Sequence, residues 1–283
     1  MPQNSTNSDF NPYTYQPSSP AAILFTILFV LTTLTHLIQT CWRRTWFMTP
    51  FILGGICEII GYISRSISAS ENPGPYSQTP YIIQTITIIV APTLLAASIY
   101  MLLGRIVLML KAEEKLFIRR TWLTKIFVSG DIVSFLMQGI GAGVLASAST
   151  NADPESANTG KDIIVGGLFV QIIFFGLFVI AAGVFYFHVS GATTEERPWK
   201  KHMIALYFVS AMIFVRSIVR VVEFLQGNDG YISTHEVFLY VFDAMIMWFA
   251  MVVMNLVHPG QVAKFIREDE RQEIEKATEL TAV

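Results

Sequence analysis

The sequence predicts an all-α polytopic membrane protein with seven transmembrane helices, its N-terminus outside and its C-terminus in the cytosol. Three observations carry this. The 283 residues are 53% hydrophobic and only 14% charged, whereas soluble domains carry roughly a quarter charged residues. Seven apolar segments each reach the length needed for a bilayer's hydrocarbon core. Lysine and arginine, finally, crowd into alternate loops.

In chain order, residues 1–19 are rich in Asn, Ser, Pro and Tyr and lack a basic start. They are expected to be a disordered outer tail, not a cleaved signal peptide. The sequon Asn4-Ser5-Thr6 makes Asn4 a glycosylation candidate. The transmembrane domain, 20–258, holds spans at about 20–40, 47–67, 81–110, 123–147, 163–188, 203–225 and 236–258. With no alternating barrel pattern, backbone satisfaction in lipid requires helices. Ala91-Pro92 is expected to kink the third span. Gln138-Gly139-Ile140-Gly141-Ala142-Gly143 superficially resembles a dinucleotide loop, but it lies within a span, so close helix packing by Gly139 and Gly143 is expected. Pro259-Gly260 ends the last span, and 259–283 is a cytosolic tail in which Val262 to Glu279 reads as a surface helix or as solvated chain.

The odd-numbered loops and the tail hold two, five, three and four basic residues, from Arg43 to Lys276, 14 in total. The even-numbered loops hold only Lys161, and Arg65, Arg105, Arg216 and Arg220 lie inside spans. That asymmetry sets the orientation. A net charge of −2 gives no footing for nucleic acid. Cys41 and Cys57 fall at a cytoplasmic span end and within a span, which is not a disulfide framework. His36, His188, His202 and His258 fall near the cytoplasmic side without ligand spacing, so no metal and no cofactor is expected.

The chemistry lies in charged residues at membrane depth, which are costly and usually pair, face the bundle interior or line a pathway. Positions seven apart share a helix face. Glu58 and Arg65 do so on the second span, and Asp131 and Gln138 on the fourth. Arg216, Arg220 and Glu223 form a stripe on the sixth, and Glu236, Tyr240 and Asp243 on the seventh. These stripes are expected to converge, with Arg65, Arg220, Glu223, Glu236 and Asp243 towards the outer leaflet, Glu58, Gln138 and Gln171 nearer the midplane, and Asp131 within reach of Arg105. With Glu58, the outer layer has four acids against Arg65, Arg216 and Arg220, leaving an acid to be protonated or to await a cation. Two readings stand: ion pairs that fix helix register, or a polar cavity for a ligand head group.

Several motifs resemble a known family. They are E-x-x-G-Y at Glu58 to Tyr62, A-P-x-x-x-A-A-x-x-Y from Ala91 to Tyr100, G-D-x-x-S-x-x-x-Q from Gly130 to Gln138, R-x-x-x-R-x-x-E from Arg216 to Glu223, and E-x-x-x-Y-x-x-D from Glu236 to Asp243. From roughly Tyr15 to His258 the chain is similar to the fungal RTA-like, or lipid-translocating exporter, family. The resemblance implies seven spans with the N-terminus outside and association with sphingoid long-chain bases, toxicant resistance or porphyrin handling. It supplies no catalytic residue.

The expected function is export or translocation of amphipathic lipid-like molecules at the plasma membrane, without enzymatic activity. Arg65, Arg216, Arg220, Glu223, Glu236, Tyr240 and Asp243 are the substrate-binding candidates, and Glu58, Asp131, Gln138 and Gln171 the proton or polar relay. The partners are membrane lipids and an amphipathic small molecule, with no nucleic acid and no stated oligomeric state. The absence of G-x-x-x-x-G-K-[ST] argues against ATP-driven pumping by this chain alone. A seven-helix lipid sensor without transport of its own is the alternative. The third span lacks the acidic-Arg-aromatic triplet of rhodopsin-like receptors, and the seventh lacks the lysine a retinal protein needs. A metal-dependent lipid hydrolase would need the scattered histidines to assemble with Asp131.

Overall fold

A computed structural model of the chain describes residues 13–115, 120–151, 154–190, 199–227 and 230–281. Seven helices are long and apolar enough to cross a membrane, and no strand occurs among the described residues. They are α1 (Ser19–Arg43), α2 (Thr49–Ser70), α3 (Gln78–Met109), α4 (Arg120–Asn151), α5 (Pro154–Ser190), α6 (Trp199–Gln226) and α7. The last is composite: Glu236–Leu239, a π-helical turn over Tyr240–Met245, then Ile246–Leu256. A further helix, α8 (Gly260–Thr281), follows. The asparagine of the sequon lies outside the described residues.

Local sequence explains the element ends. Pro20 and Pro50 occupy first-turn positions of α1 and α2, where a missing N–H costs nothing. Arg44 closes α1 in a left-handed conformation. A 3₁₀ turn, Trp46–Met48, then reverses the chain directly into α2.

The helices form a ring in sequence order, closed by α7 against α1, and α3 also reaches across to α6. α3 is correspondingly the most enclosed span. Outward faces stay apolar: Ile38 of α1 is 64% exposed and Ile180 of α5 is 63% exposed. Such a belt is stable only against lipid. The chain is an integral membrane protein.

Hydrocarbon solvates leucine as well as another helix does, so tight seams depend on small residues. At α2–α3, a Cβ on Gly54 would lie 2.9 Å from the Ala91 carbonyl oxygen. At α4–α5 the expectation for Gly139 and Gly143 is wrong. Both face open space, while a Cβ on Gly141 would lie 2.6 Å from the Gly160 carbonyl oxygen. Two residues turn a helix by roughly 200°, so only the middle glycine meets α5.

The tail expectation also needs revision. Residues 13–18 pack onto the bundle: Tyr13 is buried, its hydroxyl donates to Gln84 at 3.1 Å, and Thr14 donates to the Ser233 carbonyl at 2.7 Å. Of the two readings for the C-terminal segment, the helix is the one found.

The glycine register predicts that Gly141→Ala lowers the detergent-solubilised thermal midpoint, with a cost of about 1–3 kcal/mol for overpacking. Gly139→Ala, entering open space, should leave it unchanged or slightly raised. Equal midpoints for the two variants would contradict this seam.

Candidate functional site

The charged residues meet at the end of the bundle where α1 and α7 begin and where α2 and α6 finish. Arg65, fully buried near the end of α2, donates to Glu236 at 2.6 Å, to the Tyr240 hydroxyl at 3.1 Å and to the Tyr15 hydroxyl at 3.0 Å. Glu236 also accepts the Ser18 backbone N–H, at 2.9 and 3.1 Å to its two oxygens. Its carboxylate thus lies at the start of α1, where the helix dipole favours an anion. Asn72 donates to the Pro17 carbonyl at 2.7 Å. The segment 13–18 is therefore a strap across this end of the chamber. Tyr13 within it packs edge-on against Tyr76 and Tyr81, and burial pushes its phenol above its usual range.

One layer deeper, Arg216 of α6 forms a buried ion pair with Asp243 of α7. Its other arm donates to the backbone carbonyl of Ile88 at 2.9 Å. That carbonyl is four residues before Pro92, so proline has removed its helical donor and the guanidinium supplies a replacement. Asp243 itself sits in the π-helical turn, a feature that often marks functional positions. The wide turn splits the expected α7 stripe, with Glu236 and Tyr240 meeting α2 and Asp243 meeting α6. Arg220 pairs with Glu223 of its own helix at 2.9 Å.

Three arginines thus have three carboxylate partners, and Glu58 is the acid left over. It is fully buried, and neither of its oxygens has a hydrogen-bond partner among the described residues. The same holds for Asp243 Oδ2 and the Tyr62 hydroxyl. Between α6 and α7 a narrow, open-mouthed cleft of about 30 Å³ reaches this layer. Arg216 and Asp243 line it with Arg220 and Glu223, and Phe238 and Phe242 form an aromatic wall with ring centroids 6.0 Å apart.

The other predicted residues lie in separate seams. Asp131 accepts the Tyr100 hydroxyl at 2.9 Å. It does not pair with Arg105, which is exposed and lies over the Phe47 ring at 5.4 Å. Gln138 donates to Ser134 at 2.8 Å and to Gln171 at 3.3 Å, and Ser134 donates to the Gly167 carbonyl at 2.7 Å. These bonds stitch α4 to α5, so the expectation that all four stripes converge fails for the α4 stripe. No group of three or more His, Cys, Asp and Glu side chains fit to hold a metal occurs among the described residues. Sequence reasoning missed Tyr15 and Ser18, which a polar tail gave no reason to weigh. It also missed the Ile88 carbonyl, which Pro92 signals four residues on.

Seven spanning helices around an ion-paired interior define a polytopic membrane protein. More particularly, the chain belongs to the RTA1 like protein family, whose model matches residues 51–265. It is 35% identical over 300 residues to the protein RTM1 of Saccharomyces cerevisiae, covering 89% of this chain and 93% of that one. It is also 35% identical over 292 residues to the protoporphyrin uptake protein 1 of the same species, with the same coverage of both chains. To the sphingoid long-chain base transporter RSB1 of S. cerevisiae it is 28% identical over 261 residues, 80% of this chain and 67% of the relative. No solved structure matches it.

Breaking a buried ion pair from one side costs about 3–5 kcal/mol, whereas replacing both partners is often nearly neutral. Arg216→Met is therefore expected to lower the thermal midpoint severely, and Arg216→Met with Asp243→Leu to recover much of it. Adding Pro92→Ala, which returns an N–H to the Ile88 carbonyl, should recover more. A triple variant no better than the single one would refute the coupling.

Proposed function

We propose that the chain translocates amphipathic lipid-like molecules with a cationic head, long-chain amines foremost, at the plasma membrane. The observation that carries this reading is the cleft between α6 and α7. It joins an acidic, partly unsatisfied carboxylate to an aromatic and aliphatic wall. An ammonium entering there would meet Glu223 on the way in and the unpartnered Asp243 Oδ2 below, while the Phe238 and Phe242 faces favour a cation. The hydrocarbon tail would lie along Val219 and Leu239 towards the lipid. The names of the uptake and transport proteins similar to this chain support movement of hydrophobic or amphipathic molecules.

On this reading the chamber faces outward, the orientation that the loop charges favour. Arg65, Arg216 and Arg220 orient the acids through their ion pairs. Asp131, Gln138 and Gln171 take a positioning role between helices, away from the head group. The chemistry is binding and release, with no covalent step. The chain carries no phosphate-binding nucleotide loop of the G-x-x-x-x-G-K-[ST] type, so movement runs downhill or is coupled to an ion.

Liposomes containing the purified chain are expected to exchange a labelled long-chain base between leaflets faster than empty ones. Losing one charge-assisted hydrogen bond costs about 1.5–3 kcal/mol, or roughly tenfold to a hundredfold in affinity. Asp243→Asn and Glu223→Gln should therefore slow exchange at low substrate by about tenfold or more. No acceleration by the wild-type chain would overturn translocation and leave the sensor as the better reading.

A further inference from the structure

Glu58 is the charged residue of the chamber that no contact explains. Its carboxyl is completely enclosed, yet it has no hydrogen-bond partner among the described residues. The charged groups within electrostatic reach are Asp243 on α7 and Arg216 and Arg220 on α6. Both arginines are engaged, Arg216 with Asp243 and the Ile88 carbonyl, and Arg220 with Glu223. On its own helix the titratable neighbours are Cys57 and Tyr62. α1 and α3, the helices packed on α2, have Arg43 and Arg105 as their charged side chains, at or near their C-terminal ends. Cys41 of α1 is exposed. Of their other titratable groups, His36 bonds the Met251 carbonyl, Tyr100 bonds Asp131, and Tyr81 packs on Tyr13.

An ionised Glu58 would be a fourth negative charge against three positive ones in a water-poor interior. A lone buried carboxylate costs far more than any single contact returns, and such a group stays neutral instead. The balance changes when a cation enters the cleft. An ammonium at Asp243 Oδ2 adds one positive charge within reach of Glu58. Loss of one proton from Glu58 then restores the chamber's net charge.

We propose that Glu58 is a proton-binding site whose proton is exchanged, one for one, for the cationic head of the amphiphile. This rests on the amine-binding reading of the cleft. The exchange is balanced: the chamber gains one ammonium, the Glu58 O–H bond breaks, and one proton leaves. By linkage, lowering the proton activity tightens amine binding, and a proton gradient drives amine movement in the opposite direction. Gly61, one turn from Glu58, belongs to the same device. A Cβ there would lie 2.8 Å from the Ile88 side chain, so glycine lets α2 pack closely on the residue of α3 whose carbonyl Arg216 caps.

The test uses the full chain in nanodiscs and decyltrimethylammonium, whose charge does not titrate. Binding is measured between about pH 7.5 and about pH 9, above the usual histidine range because His235 lines the cleft. Release of one proton predicts that wild-type affinity rises with pH, by up to about tenfold per unit, wherever the infrared band shows the unliganded Glu58 still protonated. Glu58→Gln should bind more weakly with a flat profile, and Glu58→Asp should restore the slope. Infrared difference spectra of the unliganded wild type against Glu58→Gln should show the carbonyl band of a protonated carboxylic acid at neutral pH. A pH-independent wild type, or a slope that survives in Glu58→Gln, overturns the exchange while leaving amine binding intact. No binding at any pH removes the amine reading and the exchange together. Absence of the infrared band overturns the proton site regardless of the ligand.

Discussion

The guanidinium of Arg216 is the contact on which the interior depends, because it resolves two problems with one group. Pro92 deprives the Ile88 carbonyl of its helical donor in the middle of α3, and an unpaired carbonyl at that depth costs several kcal/mol. Asp243, in the π-helical turn of α7, brings a charge that the interior cannot otherwise hold. Arg216 bonds both, tying α3, α6 and α7 at one level. An amide or ammonium there could not do this as well, since the planar fork presents donors in two fixed directions. The helix defect, the π turn and the arginine are thus one structural unit drawn from three distant stretches of sequence.

Around that unit the bundle separates two kinds of polar contact. Where helices meet through small residues, as at Gly141 with Gly160 or Ser134 with Gly167, the polar bonds are neutral and local and fix register. The buried charges other than Asp131 lie towards one end, where Arg65–Glu236 and Arg216–Asp243 pair across helices, Arg220 pairs with Glu223 within α6, and the strap of residues 13–18 bonds Arg65 and Glu236. Asp131 belongs to neither group. It accepts the Tyr100 hydroxyl through one oxygen, and its other oxygen is buried without a partner among the described residues. It couples α3 to α4 at a level separate from the chamber.

Much of this was legible in the sequence. Hydropathy gave the spans, and the heptad spacing of Glu58 with Arg65 and of Glu236 with Asp243 located the charged chamber. The surplus of one acid was countable, but its identity was not. Which carboxylate is left over depends on the π turn, which carries Asp243 round to Arg216 and leaves Glu236 for Arg65. No helical wheel with a fixed 100° step yields that division. Periodicity also failed at Gly139 and Gly143, because three glycines two apart give no sign of which faces a neighbour. The strap was hidden for a different reason. Its composition is that of a solvated tail, and it is ordered by contacts with Arg65, Gln84 and Glu236 that lie 50 to 218 positions away.

The pairing pattern also bears on which ligand the proposed binding site would take. An anionic head would need a free guanidinium, yet Arg65, Arg216 and Arg220 each have a carboxylate at bonding distance. At Arg65 and Arg216, binding a phosphate would therefore begin by breaking a largely buried ion pair, a cost of several kcal/mol before any contact is gained, whereas the Arg220–Glu223 pair is partly exposed. A cation meets no such barrier. It approaches a carboxylate oxygen that has no partner, and the unpaired Glu58 nearby offers the compensating charge without disturbing any existing bond. On the proposed reading, selectivity for amines over phosphates would follow from what each ligand must undo on entry. The strap adds a steric element to the same argument, since Tyr15 both lines the cleft and holds Arg65. A head group that displaced Tyr15 would loosen the Arg65–Glu236 contact and free the start of α7 from the start of α1. On the proposed reading, occupancy of the cleft and the packing of the helix turns at this end would be parts of one equilibrium.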